Sequence, residues 1–267
     1  MTLSIIDTHA HLDMHQFDED RTGVIRRALE AGVITMVNPA VDLKSAEKII
    51  RLSESEPHIF PAAGFHPHEV SNVSEADIKI LAGIVKQDGV VAIGETGLDY
   101  YRNKSPRETQ LHVLKAELEL AADTKLPIII HCREAERDML ALLGNWIANS
   151  PYPDGVARGV IHCFSGNGNI LKQYLEMGFY VSLGGYLTYP TSVRHFDMIK
   201  NIPVDRLLLE TDCPYLPPQP YRGQRNEPAY LVMTAALLAK VRGTTAGVLA
   251  RQTTENARRL FHLPEIK

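Results

Sequence analysis

The chain has 267 residues, 45% hydrophobic and 22% charged, ordinary proportions for a globular protein with a large core. No run of about 18 apolar residues is present, so a transmembrane helix is not expected, and Ile5-Ile6 meets Asp7 too soon for a signal-peptide apolar stretch. The net charge of −4 gives no global attraction to nucleic acid or membrane, so an anionic substrate would need local cations or metal to hold it.

The apolar start of the chain, near 3–8, predicts a first strand, and a helix follows over 20–31, with Val24, Ala28 and Ala31 on one side and Gly32 as its stop. Strand two is expected at 34–37, then a helix near 42–54 capped by Asp42. Strand three, 59–64, leads into Phe65-His66-Pro67-His68. Ser74 and Asp77 open the next helix as a capping box with Asp in place of the usual Glu. Strand four, 90–93, ends in Gly94-Glu95. A long helix over 106–125 carries Leu111, Leu114, Leu118 and Ala121 at helical spacing. Strand five is 127–131, a helix covers 134–148, and strand six is 159–162. Helix 168–177, strand seven at 179–183, a short helix near 192–200, strand eight at 207–211 and helices at 228–242 and 244–261 complete the pattern.

Strands apolar on both faces, each followed by a helix, imply a parallel sheet covered by helices. Eight such units in this length fit a single-domain (β/α)8 barrel over 1–267, a TIM barrel. An open doubly wound sheet shares the alternation, but no Gly-x-Gly-x-x-Gly follows strand one, so the usual dinucleotide-binding version, and an organic cofactor with it, is not expected.

His9 and His11 are spaced i and i+2, so in an extended strand they leave on one face, as two ligands of one metal must. Alone, the pair could equally be two solvated imidazoles at a strand end. The other strands repeat the arrangement: Glu95, His131, His162 and Asp212 each stand at a carboxyl end, where a barrel of this type keeps its active site. Four histidines and two carboxylates exceed the needs of one tetrahedral ion, so a two-metal centre with a shared bridge is expected. Histidines suit Zn²⁺ and carboxylates suit Mg²⁺ or Mn²⁺, which leaves the metal's identity open. Cys132, Cys163 and Cys213 each follow a ligand candidate, and alternation turns them toward the helix layer as small apolar residues. Their odd, scattered count argues against a disulfide framework, and a reducing, cytoplasmic setting is expected.

The motifs Asp7-Thr8-His9-Ala10-His11-Leu12, Gly64-Phe65-His66-Pro67-His68, Gly94-Glu95-Thr96-Gly97-Leu98-Asp99, Ile130-His131-Cys132-Arg133, His162-Cys163-Phe164-Ser165-Gly166, Glu210-Thr211-Asp212-Cys213-Pro214-Tyr215-Leu216 and Arg222-Gly223 with Asn226-Glu227-Pro228 run almost from end to end. In that order the chain resembles the TatD family of metal-dependent hydrolases, within the amidohydrolase-like barrel superfamily. The resemblance implies that His9, His11, Glu95 and Asp212 hold one divalent ion and that Glu95 bridges to a second held by His131 and His162. It also implies that His66 contacts a substrate phosphate; the residues alone equally allow a proline-braced loop with exposed imidazoles at His66 and His68.

The activity so implied is hydrolysis of phosphodiester bonds in DNA, at single strands or ends, by a metal-bound hydroxide, with Asp212 as candidate general base. The same ligands would also serve a small-molecule amide, lactone or phosphoester hydrolase, which a narrow apolar pocket at the mouth would favour. A non-enzymatic barrel would be expected to lack a ligand, and none is missing. Glu210 and Asp7 each stand two residues before a ligand, either to orient a histidine or to form a buried ion pair. Two loops, Tyr100-Tyr101-Arg102-Asn103-Lys104 with Arg107 and Tyr221-Arg222-Gly223-Gln224-Arg225, mix cations with rings as single-strand binders do. Charged surface loops are the plainer alternative, with Arg222 paired to Glu227 and Arg133 reaching a phosphate or a carboxylate. Oligomeric state is not readable.

Overall fold

The computed structural model describes residues 3–149 and 157–265. Eight strands, β1 (Ile5–Asp7), β2 (Val33–Pro39), β3 (Ile59–Ala63), β4 (Ala92–Asp99), β5 (Ile128–Arg133), β6 (Gly159–Ile161), β7 (Tyr180–Leu183) and β8 (Leu207–Leu209), pair in parallel in sequence order. Irregular backbone bonds close β8 on β1: Thr8 N–H donates to Leu209 O (3.0 Å), Asp212 N–H to His9 O (2.8 Å) and His11 N–H to Cys213 O (2.8 Å). The result is the expected (β/α)8 barrel.

The helices are α1 (Arg21–Ala31), α2 (Leu43–Ser55), α3 (Glu75–Ile84), α4 (Arg107–Thr124), α5 (Glu136–Asn149), α6 (Gly168–Glu176), α7 (Phe196–Lys200), α8 (Leu231–Val241) and α9 (Ala246–Phe261). Their ends follow the sequence signals. Gly32 closes α1 in the left-handed region (φ 93°), Asp42 accepts Ser45 N–H at 2.7 Å, and Ser74 and Asp77 form the capping box. The short helix expected near 192–200 is an α-helix only from Phe196; the preceding Pro190–His195 is 3-10. None of the described helices is by itself long and apolar enough to cross a membrane.

One buried side chain from each strand (Ile6, Val37, Ala62, Ala92, Ile129, Val160, Tyr180, Leu208) packs with Leu260, Phe261 and Leu263 into a compact cluster. One contribution per strand identifies it as the barrel interior, and the strand residues of the other parity pack under the helices. Because α9 ends on this interior, it stoppers the barrel. Its Asn256 donates to Val204 O (2.8 Å) and Leu207 O (2.9 Å), at the start of β8, and Thr254 to Ser4 O (3.0 Å), at the start of β1. The carboxyl ends of the strands are left as the open face.

The largest departure from the sequence reading is β4, which does not stop at Ile93 but runs through Glu95 to Asp99. Two glycines make the longer strand possible. A Cβ on Gly97 (φ 146°) would lie 1.9 Å from His131 O, and one on Gly94 (φ 142°) 2.7 Å from Ile129 O. The register against β5 shifts between Ile93 and Thr96, the kink that lets Glu95 leave the ladder toward the mouth.

Candidate metal centre

Glu95 is at the centre of the mouth and only 2% exposed. Its Oε2 faces His9 Nε2 (3.2 Å) and His11 Nε2 (3.3 Å), and Asp212 Oδ1 lies 3.7 and 3.6 Å from the same two nitrogens. Its Oε1 faces His131 Nδ1 (3.0 Å), His162 Nε2 (3.1 Å) and His66 Nε2 (3.4 Å). The five other ligand candidates from the strand ends, and His66 as well, therefore meet around the Glu95 carboxylate, whose two oxygens divide them into two sets.

The donor chemistry fits cations. A carboxylate oxygen has two lone pairs, yet Oε1 is ringed by three imidazole nitrogens. On the Oε2 side, His9 Nε2 and His11 Nε2 point at each other across 3.1 Å. Nitrogen and oxygen donors converging on shared centres are what divalent ions require. Candidate ligand atoms group as His9, His11 and Asp212; as His9, Glu95 and His162; and as His66, Glu95 and His131.

Burial works against charge on His11, His131 and His162, but the carboxylates around them, Glu95 above all, outweigh it and hold all three above the ordinary imidazole value, His162 well above. Burial is the largest influence on Glu95 and raises it, but the imidazoles of His66, His162 and His9 outweigh it and hold the carboxyl well below its ordinary range. Burial lowers His9 to about 3 and His66 to about 4, so both are neutral bases at pH 7. Asp212 is pushed up to about 6, chiefly by burial.

Behind the cluster, other carboxylates orient the rings. Asp99, fully buried at the end of β4, accepts His131 Nε2–H (3.1 Å), His68 Nε2–H (2.8 Å) and Arg102 N–H (2.7 Å). A proton held on His131 Nε2 leaves Nδ1 as a lone pair toward Glu95. Asp99 was not legible as a functional residue because its histidine partners lie on β5 and on the loop after β3. His66 and His68 are not the exposed imidazoles that the loop alone allowed, being 12% and 18% exposed. Glu210 sits 3.4 Å from His162 Nδ1 and accepts Cys163 N–H at 2.6 Å, so it backs a ligand candidate. Asp7 touches no ligand ring: it accepts the Thr211 hydroxyl (2.6 Å), Thr211 N–H (3.0 Å) and His9 N–H (3.2 Å). Cys213 is buried, and Cys132 meets the Tyr174 hydroxyl of the helix layer, Sγ to O 3.6 Å. Cys163 is only half-buried: it stands past β6 with φ 47°, where strand alternation no longer sets its direction.

A cavity of about 520 Å³ opens over the cluster. Arg102, Lys104 and Arg133 line it, and none of them has an ion-pair partner among the described residues. Arg133 lies 4.0 Å over the Tyr101 ring. The loop after β8 behaves differently. Arg225 is paired to Asp20 (2.7 Å) and Glu227 (2.8 Å), Arg222 lies over Tyr189 (4.9 Å) rather than on Glu227, and Tyr221 stacks on Tyr230 at 3.9 Å. None of these lines the cavity; the ring that does is Tyr215. A larger groove, about 780 Å³ between α4 and α5, contains none of the cluster.

Comparison with known proteins places the chain in a family. The family model for TatD related DNase matches residues 6–262. An uncharacterized metal-dependent hydrolase, YabD of Bacillus subtilis, is 38% identical over 259 residues, covering 97% of this chain and 99% of its own. A protein named 3′-5′ ssDNA/RNA exonuclease TatD, from Erwinia tasmaniensis, is 36% identical over 265 residues, covering 97% and 100%. The crystal structure of the TatD homologue YJJV from Escherichia coli superposes with a TM-score of 0.91 at 30% identity, over 99% of this chain and 100% of that one. With a family model over nearly the whole chain and relatives above 30% identity at full coverage, the chain belongs to the TatD family of metal-dependent hydrolases.

Proposed function

We propose that this enzyme removes nucleotides from the 3′ end of single-stranded DNA or RNA by phosphodiester hydrolysis. The observation that carries the reading is the pairing of a divided ligand set on Glu95 with three cations on the same cavity that have no ion-pair partner among the described residues. That mouth suits a polyanion better than the narrow apolar pocket a small-molecule hydrolase would show. The exonuclease activity for which relatives such as the Erwinia protein are named supports the choice of substrate and direction.

His9, His11, Glu95 and Asp212 would hold one divalent ion, and Glu95, His131 and His162 a second. Bound there, the ions would acidify a water and draw off charge from the phosphoryl oxygens. Asp212 keeps Oδ1 toward the two histidines, so its other oxygen accepts the proton of the attacking water. His66, neutral at pH 7, donates Nε2–H to a phosphoryl oxygen at the rim of the cluster. Glu210 and Asp99 keep His162 and His131 in the tautomers that ligation needs.

The test is digestion of a 5′-labelled single-stranded oligonucleotide by metal-stripped protein, by protein restored with Mg²⁺, Mn²⁺ or Zn²⁺, and by Asp212→Asn. The expected result is a metal-dependent ladder shortening from the 3′ end, with the substitution lowering the rate by roughly 10²–10⁴-fold, the usual span for a positioned acid or base. A metal-loaded wild type that cleaves no strand would overturn the reading in favour of the small-molecule hydrolase.

A further inference from the structure

Resting on that reading, we infer that the two walls of the mouth divide the substrate, Tyr215 being the platform on which the base of the 3′-terminal nucleotide stacks. Strands β4 and β5 lie across the barrel from β8 and β1. The β4–β5 side carries Arg102, Lys104 and Arg133. The β8–β1 side carries Met14, Tyr215 and Leu216, and the arginines after β8 do not line the cavity. The acidic exception on the rim is Glu69, on the loop after β3.

A strand shortened one nucleotide at a time has the same asymmetry about the bond that breaks. Upstream, every nucleotide adds a phosphate. Downstream is one nucleoside with a base and no further phosphate. A wall of cations matches the first and an uncharged ring the second.

Tyr215 is built for this place. The residue is 47% exposed although its ring stands beside a buried cluster, 6.4 Å from the His11 ring. Its backbone is fixed. Asn226, fully buried, donates Nδ2–H to Tyr215 O (2.6 Å) and to Thr211 O (2.8 Å), and Tyr215 N–H bonds Asp212 O at 2.9 Å. Met14 Sδ meets the phenol oxygen at 3.4 Å, which steadies the outer edge of the ring. An exposed ring on a fixed backbone, beside the ligand candidates, is a pre-organised surface for a flat base.

The experiment uses strands ending in a 3′ 2-aminopurine, in an abasic 3′ nucleotide or in an ordinary one, with wild type, Tyr215→Phe and Tyr215→Ala. Fluorescence is read with a hydrolysis-resistant phosphorothioate at the last linkage. Binding to wild type and to Tyr215→Phe is expected to quench the terminal 2-aminopurine, and binding to Tyr215→Ala to leave it bright. On cleavable strands, Tyr215→Ala is expected to lower kcat/KM by roughly 5- to 100-fold, the span of base–aromatic stacking, and to cost nothing further on the abasic end. Equal losses on basic and abasic ends, or quenching that survives in Tyr215→Ala, would overturn the platform. Quenching lost in Tyr215→Ala without cleavage by wild type would support the platform while removing the exonuclease reading; failure of any strand to bind would remove both.

Discussion

Strands β4 and β8 end in loops of nearly the same composition, and the fold uses them in opposite ways. After β4, Arg102 and Lys104 reach the cavity without carboxylate partners among the described residues. After β8, Arg225 is drawn back to Asp20 and Glu227, where Arg27 joins it with bonds of 2.8 and 3.0 Å. That network ties the loop to α1 and leaves the β8 side of the mouth to an exposed tyrosine. A loop's composition is therefore not its function: a cation is available to substrate only where the fold has withheld its counter-ion. The carboxylates behind the strands differ as well. Asp99 and Glu210 each back a histidine, whereas Glu117 on α4 accepts Phe65 N–H (2.8 Å) and the Thr96 hydroxyl with no cation beside it, and burial pushes it up to about 8.

The largest expected effect breaks the symmetry between the two backing carboxylates. Asp99→Ala frees His131 Nε2 and should weaken metal binding by roughly 10–100-fold, the usual consequence of losing such a partner. Glu210→Ala should weaken it less, because Glu210 stands 3.4 Å from His162 and Asp99 only 3.1 Å from His131. Chelator competition on the two variants measures the difference, and equal affinities would remove the distinction.

A smaller effect sharpens the contrast between the loops. Arg102→Ala with Lys104→Ala should raise KM for a single strand severalfold and flatten the salt dependence of log(kcat/KM) by about 1.4, that is, about 0.7 for each phosphate left without its cation. Arg222→Ala should leave both unchanged. Steady-state rates across a salt series give all of these values, and an Arg222→Ala slope as flat as the double variant's would show that both loops touch the strand.

The smallest effect concerns Glu117. Between the ordinary 4.5 and about 8, the folded chain holds a proton that the unfolded chain releases, so its contribution to stability falls as pH rises through that window. Glu117→Gln copies the protonated form. Its melting temperature should match wild type near pH 5 and exceed it near pH 9. Parallel curves would mean that Glu117 is ionised in the folded state.

Most of the fold was legible because parallel strands buried on both faces read as apolar runs, and helix boundary signals such as Gly32 at a stop and Ser74 at a start act locally. The ligand set was legible for the same reason: His9, His11, Glu95, His131, His162 and Asp212 mark the ends of those runs. Illegible were features set by contact between distant segments. The length of β4 depends on how closely Gly97 approaches His131 O. Whether Arg225 faces solvent depends on Asp20, far away in sequence. Asp99 is only the last residue of a motif until His68 and His131 are brought onto it.

The most direct test of the central claim, that Glu95 joins two ion sites, is elemental analysis of wild type and Glu95→Ala beside their circular dichroism and nuclease rate. The expected result is two divalent ions per wild-type chain, loss of both ions or of most activity in the variant, and an unchanged spectrum. A folded Glu95→Ala that keeps its metal content and full activity would contradict the bridge.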